Sequence, residues 1–306
     1  MKRHLHPHWI LVELPLLAAA LAGAQIAALP DLGYRAVPDP LKLPAGANFG
    51  EVPSVALDAR GHIYVFHRGP RALMEFDAAG NFLRSIGEGL FTRPHGLRID
   101  PDGNIWTTDV GSHLVLKFNR EGQVMMVFGR QNSAGETDSQ FNQPADVAFG
   151  RNGEIYVADG YGNSRIVKFD REGRFLKAWG TKGAAPGQFN LPHAVVVDAN
   201  GQVIVADREN ARIQIFDSDG NFLKEWTHLG QPWGLALSRD GLLYVAAGRD
   251  NRVLVLDLDG KIQGGFGERG KLPGQFGWPH GIAVGPAGEI YVSEILNWRV
   301  QKFVRK

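Results

Sequence analysis

Three histidines at equivalent positions of an internal repeat are the residues of this chain best suited to chemistry. His95, His193 and His280 each follow a proline, and they occupy every second copy of a repeat whose copies are 40 to 50 residues apart. The intervening copies carry other residues at this position, namely Ser54, Ala145 and Trp233. In a closed ring of six copies, alternate copies lie about 120° apart, so the three imidazoles would converge on the ring axis.

Three convergent imidazoles suit a zinc ion that keeps its fourth position open for water or substrate. Imidazole also binds iron and copper, so the ligand type alone does not fix the metal. The alternative interpretation is that Pro-His is an ordinary start of a strand, with each ring bonded to backbone. The strict alternation favours a metal site, and we predict zinc on His95, His193 and His280.

Two arginines follow the second strand of their repeat copies, at a position that faces the same axis. Arg68 and Arg208 each stand beside a column that is acidic in four of six copies, at Asp109, Asp159, Asp207 and Glu294. The recurring acid indicates a structural hydrogen-bonding role, whereas an arginine in only two copies indicates a function. A guanidinium can bind a carboxylate through two parallel hydrogen bonds, so the arginines predict an anionic group on the substrate. Salt bridges between neighbouring copies are the alternative.

Tyr161 is an additional residue between the acid and the asparagine of the third copy, which the other copies lack. A phenol beside a dication and two arginines ionises more readily, because opposite charge favours the phenolate. Such a group could serve as a general base near neutral pH. A tyrosine in a surface turn is the alternative. The candidate catalytic residues are therefore Tyr161, Arg68 and Arg208.

The elements that must position these residues are short strands joined by glycine-containing turns. From residue 49 onward, each copy contains runs of alternating apolar and polar residues separated by turns such as that at Asp102 and Gly103. Four such strands per repeat are typical of a propeller blade. Six copies predict an all-β fold, a six-bladed β-propeller over residues 49–306. The last copy lacks its fourth strand, and a strand within residues 34–43 of the extension 25–48 is predicted to pair with residues 300–304 and close the ring.

The composition excludes several classes of function. There are 33 basic and 32 acidic side chains, with no long run of either sign, so we expect no nucleic-acid partner. The absence of cysteine excludes disulfides, thiolate metal sites and a thiol nucleophile. Near the N-terminus, Lys2 and Arg3 precede an apolar run that ends in small residues. Residues 1–24 are therefore predicted to be a signal peptide or a membrane anchor of an exported, periplasmic or extracellular protein.

Several segments resemble the NHL-repeat family and, within it, the peptidyl-α-hydroxyglycine α-amidating lyases. The likeness is carried by FHRG from Phe66, RPHGLRIDPDGNIWTTDVGSH from Arg93, QPADVAF from Gln143, VADGYGNSRIVKF from Val157, PGQFNLPH from Pro186 and ADRENARIQ from Ala206. The resemblance implies a six-bladed propeller with zinc on the three histidines, Tyr161 as the catalytic tyrosine, and Arg68 and Arg208 as the active-site arginines. It also implies the reaction, which is cleavage of the N–Cα bond of a peptidyl-α-hydroxyglycine to an amide and glyoxylate.

The chain departs from that family at two positions near the third histidine. The resemblance implies a structural calcium ion bound by the backbone carbonyls of Val55 and Leu97 and by an aspartate directly after His280. This chain has Gly281 there, which removes one expected calcium ligand. It also has Trp278 where the family carries methionine, which predicts a bulkier wall beside the substrate.

Two other functions remain open on the sequence alone. A propeller hydrolase of the lactonase type would hold calcium in the channel on carboxylates rather than on histidines. A non-catalytic NHL scaffold would bind a macromolecule on one face and would need no channel metal. We favour a zinc-dependent lyase whose partner is a small molecule or peptide with a terminal carboxylate, and whose only contact with a membrane would be through an N-terminal anchor.

Overall fold

The chain folds into six four-stranded antiparallel sheets around a central channel. The computed structural model describes residues 29–306, and within them the strands are accompanied by one short 3₁₀ helix, Arg208–Asn210. The first strands of the blades contact one another in a closed ring and line the channel. The predicted all-β, six-bladed propeller is confirmed.

The blades are numbered in chain order, and β1 (Tyr34–Val37) belongs to the last of them. From the channel outward, blade 1 holds β2 (Ser54–Leu57), β3 (Ile63–Phe66), β4 (Leu73–Phe76) and β5 (Phe82–Ile86); blade 2 holds β6 (Pro94–Ile99), β7 (Ile105–Asp109), β8 (Leu114–Phe118) and β9 (Val124–Phe128); blade 3 holds β10 (Asp146–Phe149), β11 (Ile155–Asp159), β12 (Arg165–Phe169) and β13 (Phe175–Trp179). Blade 4 holds β14 (Pro192–Val197), β15 (Val203–Asp207), β16 (Arg212–Phe216) and β17 (Phe222–Trp226); blade 5 holds β18 (Pro232–Leu237), β19 (Leu243–Ala247), β20 (Arg252–Leu256) and β21 (Ile262–Phe266); blade 6 holds β22 (Pro279–Val284), β23 (Ile290–Glu294), β24 (Arg299–Arg305) and β1.

The turn between the first two strands of blade 2 illustrates why one strand ends and the next begins at these residues. Gly103 has a φ of 83°, a conformation that costs glycine little, and its N–H donates to the Asp100 carbonyl at 2.9 Å. The Asp100 carboxylate accepts from the Asn104 N–H at 2.8 Å and reproduces a backbone turn with its side chain. This hairpin fixes the register of β6, the strand that carries His95.

The core lies between blades rather than within them. Each of six buried apolar clusters joins two adjacent blades, including the pair formed by blades 6 and 1. Between blades 3 and 4, for example, Tyr156 and Ile166 pack with Val195, Val205 and Phe216. Because every blade is held by both neighbours, the inner strands and the side chains that they direct into the channel are held in a fixed arrangement.

The ring closes as predicted, through a shorter strand than expected. β1 pairs with β24 in antiparallel register, with Tyr34 opposite Arg305 and Val37 opposite Lys302. The strand ends at Val37 because Pro38 has no N–H to donate and Asp39 has a φ of 40°. The predicted strand over residues 34–43 is therefore limited to its first four residues.

The predicted signal peptide or anchor, residues 1–24, lies outside the described residues. Within residues 29–306, no helix has the length and apolarity needed to cross a membrane.

Candidate active site

The three predicted ligands lie at the start of alternate inner strands, and each is oriented by the blade that follows it. The Nδ1 atoms of His95, His193 and His280 lie 2.7, 2.6 and 2.7 Å from the carbonyl oxygens of Ala145, Trp233 and Pro53, respectively. A carbonyl can only accept, so each Nδ1 carries the proton and donates, which leaves a lone pair on each Nε2. The histidines do bond to backbone, as the alternative interpretation held, but with the ring nitrogen that metal binding does not need.

The histidine rings converge on the channel axis. Their centroids are 4.9 Å apart for His95 and His193, 4.9 Å for His95 and His280, and 4.8 Å for His193 and His280. One nitrogen from each ring lies within 4.8 Å of the other two, and among residues 29–306 no other set of three or more His, Cys, Asp or Glu side chains is grouped in this way. The predicted convergence of the histidines from alternate blades is therefore present in the structure.

Burial keeps these imidazoles neutral. Loss of hydration lowers the pKa of His280 to about 3, and the nearby Arg68 guanidinium acts in the same direction. Burial also holds the pKa values of His95 and His193 well below the ordinary value. The next cause is the nearby charge of His280 for the pKa of His95 and that of Arg208 for the pKa of His193. Neutral imidazole is the form that binds metal, so these histidines need not lose a proton before they bind a metal ion.

Tyr161 lies against two of the ligands. Its hydroxyl oxygen is 3.0 Å from Nε2 of His95 and 3.0 Å from Nε2 of His193. The hydroxyl has one proton and can donate to only one of these two lone pairs. A cation held by all three Nε2 atoms would satisfy the lone pairs together, so the donor set fits a zinc ion on three histidines with an open fourth position.

The two predicted arginines flank this cluster on opposite sides. Arg208, in the 3₁₀ helix, donates from Nη1 to the Tyr161 hydroxyl at 3.2 Å, and its guanidinium stacks over the Trp233 ring at 5.0 Å. Arg68, which follows β3, donates from Nε to the carbonyl of Pro94 at 3.2 Å, next to His95. The structure thus brings the six residues predicted for the zinc site and for catalysis to one end of the channel.

Each arginine also pairs with a carboxylate that the sequence did not single out. Arg68 Nη1 is 2.6 Å from Oε2 of Glu51, and Arg208 Nε is 2.9 Å from Oε1 of Glu209. Both acids belong to the same blade as their arginine, so these pairs are not salt bridges between blades. They orient the guanidinium groups while leaving several N–H donors for a ligand.

The acidic column has the structural role that was predicted. Asp109 accepts from the backbone N–H groups of Thr92 and Ser112, and Asp159 accepts from that of Asn142. Asp207 and Glu294 bind the corresponding segments of blades 4 and 6. These carboxylates tie the segment before the first strand of a blade to its second strand, and none of them contributes to the histidine cluster.

The residues implied for calcium do not fit that ion. A Cβ atom on Gly281 would lie 2.7 Å from the Pro53 carbonyl oxygen and 2.7 Å from Oγ of Ser293, so the backbone leaves no room for an aspartate. Val55 and Leu97 lie on the inner strands β2 and β6, and Arg98, which directly follows Leu97, lines the channel. Calcium requires six to eight oxygen ligands, and this chain lacks the carboxylate expected at position 281.

A fourth buried histidine, His67, lies beside Arg68 but outside the cluster. Its Nδ1 accepts from the Gly50 N–H at 3.2 Å, and its Nε2 has no partner among the described residues. Burial lowers the pKa of His67 to about 4. The folded state therefore binds fewer protons than the unfolded state between about pH 4 and 6.5, and stability must fall as the pH falls through that range.

We expect His67→Gln to reduce the pH dependence of stability in the metal-free protein, to which His95, His193 and His280 contribute in the same direction. The native histidine should cost up to about 3 kcal/mol of unfolding free energy between pH 6.5 and 4, since each unit of pKa shift corresponds to about 1.4 kcal/mol. The measurement is urea unfolding at several pH values, with the exposed His228→Gln variant as control. Equal slopes in His67→Gln and the wild type would contradict the assignment.

Comparisons with known proteins agree with the fold and identify relatives of part of the chain. The NHL repeat family model matches residues 91–118, 141–169 and 189–216. A probable peptidyl-alpha-hydroxyglycine alpha-amidating lyase of Caenorhabditis elegans is 39% identical over 151 residues, which cover 42% of this chain and 43% of that protein. Peptidyl-alpha-hydroxyglycine alpha-amidating lyase 1 of Drosophila melanogaster is 33% identical over 159 residues, which cover 43% of this chain and 29% of that protein. The matches thus span less than half the length of these relatives.

Solved structures support the architecture alone. A gluconolactonase from Xanthomonas campestris superposes with a TM-score of 0.66 and 15% identity, covering 84% of this chain and 86% of that one. At that identity the likeness speaks for the propeller and not for its chemistry. The chain is a six-bladed β-propeller with NHL repeats, and its relatives at 33% to 39% identity include peptidyl-α-hydroxyglycine α-amidating lyases.

Proposed function

We propose that this protein is a zinc-dependent lyase that cleaves the N–Cα bond of an N-acyl-α-hydroxyglycine to release an amide and glyoxylate. The observation that carries the proposal is the convergence of His95, His193 and His280 on the channel axis, with the Tyr161 hydroxyl 3.0 Å from Nε2 of two of them. Arg208 donates to the same hydroxyl. The lyases among its relatives support the reaction class. Export of the protein, predicted from residues 1–24, remains a prediction.

The reaction balances without an oxidant or reductant. The carbinol hydroxyl loses its proton, the carbon–oxygen double bond of glyoxylate forms, the N–Cα bond breaks, and the amide nitrogen gains a proton. Zinc on the three histidines would supply Lewis-acid polarisation of the carbinol hydroxyl. The protein's own residues must then bind the substrate, take its proton and return one to the leaving nitrogen.

Tyr161 is the residue placed to move that proton. Its phenolic oxygen lies 3.0 Å from Nε2 of His95 and 3.0 Å from Nε2 of His193. A substrate hydroxyl bound beside these nitrogens would therefore lie within hydrogen-bond reach of the phenol, as a general base requires. Arg208 donates to the same oxygen and stabilises negative charge on it. After the N–Cα bond breaks, the proton held on the phenol can pass to the amide nitrogen.

Arg68 and Arg208 are suited to hold the carboxylate of the substrate. Both side chains are mostly buried, with exposed fractions of 17% and 12%, which strengthens their attraction for an anion. Fixing the carboxylate orients the carbinol carbon toward Tyr161, and such positioning is a large source of rate enhancement. A substrate without the carboxylate should therefore react poorly.

The experiment is glyoxylate release from N-benzoyl-α-hydroxyglycine by the purified chain, with metal content measured on the same sample. We expect about one zinc per chain, loss of glyoxylate release on chelation, and recovery when zinc is added. The ethyl ester of the substrate and a simple lactone serve as comparison substrates. Zinc-loaded protein that releases no glyoxylate would refute the lyase, and hydrolysis of the lactone would favour the hydrolase alternative.

Trp278 should set the preference for the acyl group. The indole is 38% exposed and lies 5.6 Å from the Trp233 ring, which in turn lies 5.4 Å from His280. An apolar acyl group bound there would bury this aromatic surface. We expect Trp278→Ala to lower kcat/KM about tenfold for the N-benzoyl substrate and much less for the N-acetyl substrate, as measured by competition between the two. An equal effect on both would contradict this role.

A further inference from the structure

An arginine crosses the channel beneath the histidines. Arg98, in β6 of blade 2, places Nε 3.0 Å from Oδ1 and Nη2 2.5 Å from Oδ2 of Asp146 in blade 3. Its Nη1 donates to the carbonyl of Leu235 at 3.0 Å, in blade 5 on the opposite side of the ring. One guanidinium thus joins three blades across the axis.

The partners of Arg98 are close in sequence to the groups that orient the metal ligands. Asp146 directly follows Ala145, whose carbonyl accepts from His95. The Asp146 carboxylate also accepts from the backbone N–H of Val195 at 3.1 Å, two residues after His193. A shift of this ion pair would therefore move the carbonyl that orients His95 and the strand that carries His193.

The third partner extends the same connection to a fourth blade. Leu235 lies two residues after Trp233, whose carbonyl accepts from His193. The pair and its hydrogen bonds consequently link β6, β10, β14 and β18, the strands that carry or orient His95 and His193. None of these partners lies on β22, which carries His280.

The two charges have no counterpart in the repeat. The positions equivalent to Arg98 hold Leu57, Ala148, Val196, Ala236 and Ala283, and those equivalent to Asp146 hold Val55, Gly96, Ala194, Gly234 and Gly281. A buried charge is costly unless it is paired, so a matched pair that is confined to two blades indicates a specific role. Asp146 is 5% exposed, and the cavity shared by the pair and the histidines is only about 20 Å³, enough for roughly one water.

We propose that Arg98 and Asp146 form a positioning pair that holds His95 and His193 at the spacing the metal requires and that makes a channel calcium ion unnecessary. The proposal rests on the proposed metal site. The guanidinium supplies a fixed positive charge and directional hydrogen bonds across the channel, and the channel wall at Gly281 has no room for a carboxylate ligand. The spacing of the ligands is thereby built into the chain rather than dependent on a second ion.

The test compares the zinc affinity and the thermal midpoint of the full chain for the wild type, Arg98→Ala and Arg84→Ala. Arg84 is a matched control, because it pairs with the buried Glu75 at 2.6 Å and bonds to carbonyls of the next blade, but on an outer strand. Zinc affinity is measured by competition with a chromophoric chelator. We expect both variants to have a lower thermal midpoint, but only Arg98→Ala to lose zinc affinity, by about 10- to 100-fold, as outer-shell changes do.

A second variant covers the case in which Arg98→Ala fails to fold because Asp146 is left unpaired. Arg98→Met combined with Asp146→Leu leaves no buried charge without a partner and should fold, yet it should bind zinc more weakly than Arg84→Ala. Adding millimolar calcium or a calcium chelator should leave the midpoint of the wild type unchanged.

The outcomes separate this proposal from the proposed function. Zinc affinity that is unchanged in a folded Arg98 variant, or a wild-type midpoint that rises with calcium, would overturn the positioning pair alone. A wild type that binds no zinc would overturn the proposed function and the positioning role together.

Discussion

Replacing His193 with alanine is expected to remove the metal and, with it, glyoxylate release. His193 is one of the three histidines of the proposed zinc site, and its Nε2 lies 3.0 Å from the Tyr161 hydroxyl. Two imidazoles cannot complete the three-ligand set of a catalytic zinc site. The loss of zinc affinity should therefore exceed the 10- to 100-fold that removal of an outer-shell partner costs. Elemental analysis and chelator competition measure the loss directly.

The control for this substitution is His228→Ala. His228 is exposed and belongs to no ligand group, so the variant should retain zinc and activity. Removing His193 also removes the hydrogen bond to the Trp233 carbonyl, so the folded state of both variants must be checked by circular dichroism. A folded His193→Ala protein with one zinc per chain would exclude the three-histidine site.

The convergence of the histidines could be predicted because, in a closed ring of repeats, the number of copies between two equivalent residues fixes the angle between them around the axis. Equivalent residues of a closed six-fold ring must surround one axis, so an alternating column needs no further information to be placed. The structure adds how the rings are held. His95 and His193 are oriented by carbonyls of Ala145 and Trp233, which occupy the same column in the intervening blades.

The charged partners in and around the channel could not be placed in the same way. Glu51 and Glu209 reach their arginines through side-chain rotation, which the repeat does not determine. Arg98 and Leu235 are far apart in sequence and lie on opposite blades, so only the closed ring brings them together. A signal for Arg98 was nevertheless present, because a single charge in an otherwise apolar column needs a partner.

Tyr161→Phe is expected to lower kcat by about 10² to 10⁴ while leaving the zinc content unchanged. The phenylalanine ring can keep the packing of Tyr161 against His95 and His193, and the three ligating nitrogens are not altered. Only the hydroxyl oxygen is lost, which we propose accepts the substrate proton and which receives a hydrogen bond from Arg208. A loss confined to kcat, measured with a saturating N-benzoyl substrate, would assign the hydroxyl to the chemical step.

Tyr156→Phe provides the matched control for that experiment. Tyr156 lies in the same blade, is buried, and bonds through its hydroxyl to the Ser218 carbonyl at 3.3 Å, away from the histidines. Its loss should lower stability by about 1 kcal/mol and leave kcat within about twofold, because a net hydrogen bond contributes roughly that amount. If the two variants had the same kcat, the proton would have to be taken by another group. Full activity of Tyr161→Phe would thus retain the metal site but remove the base from the mechanism.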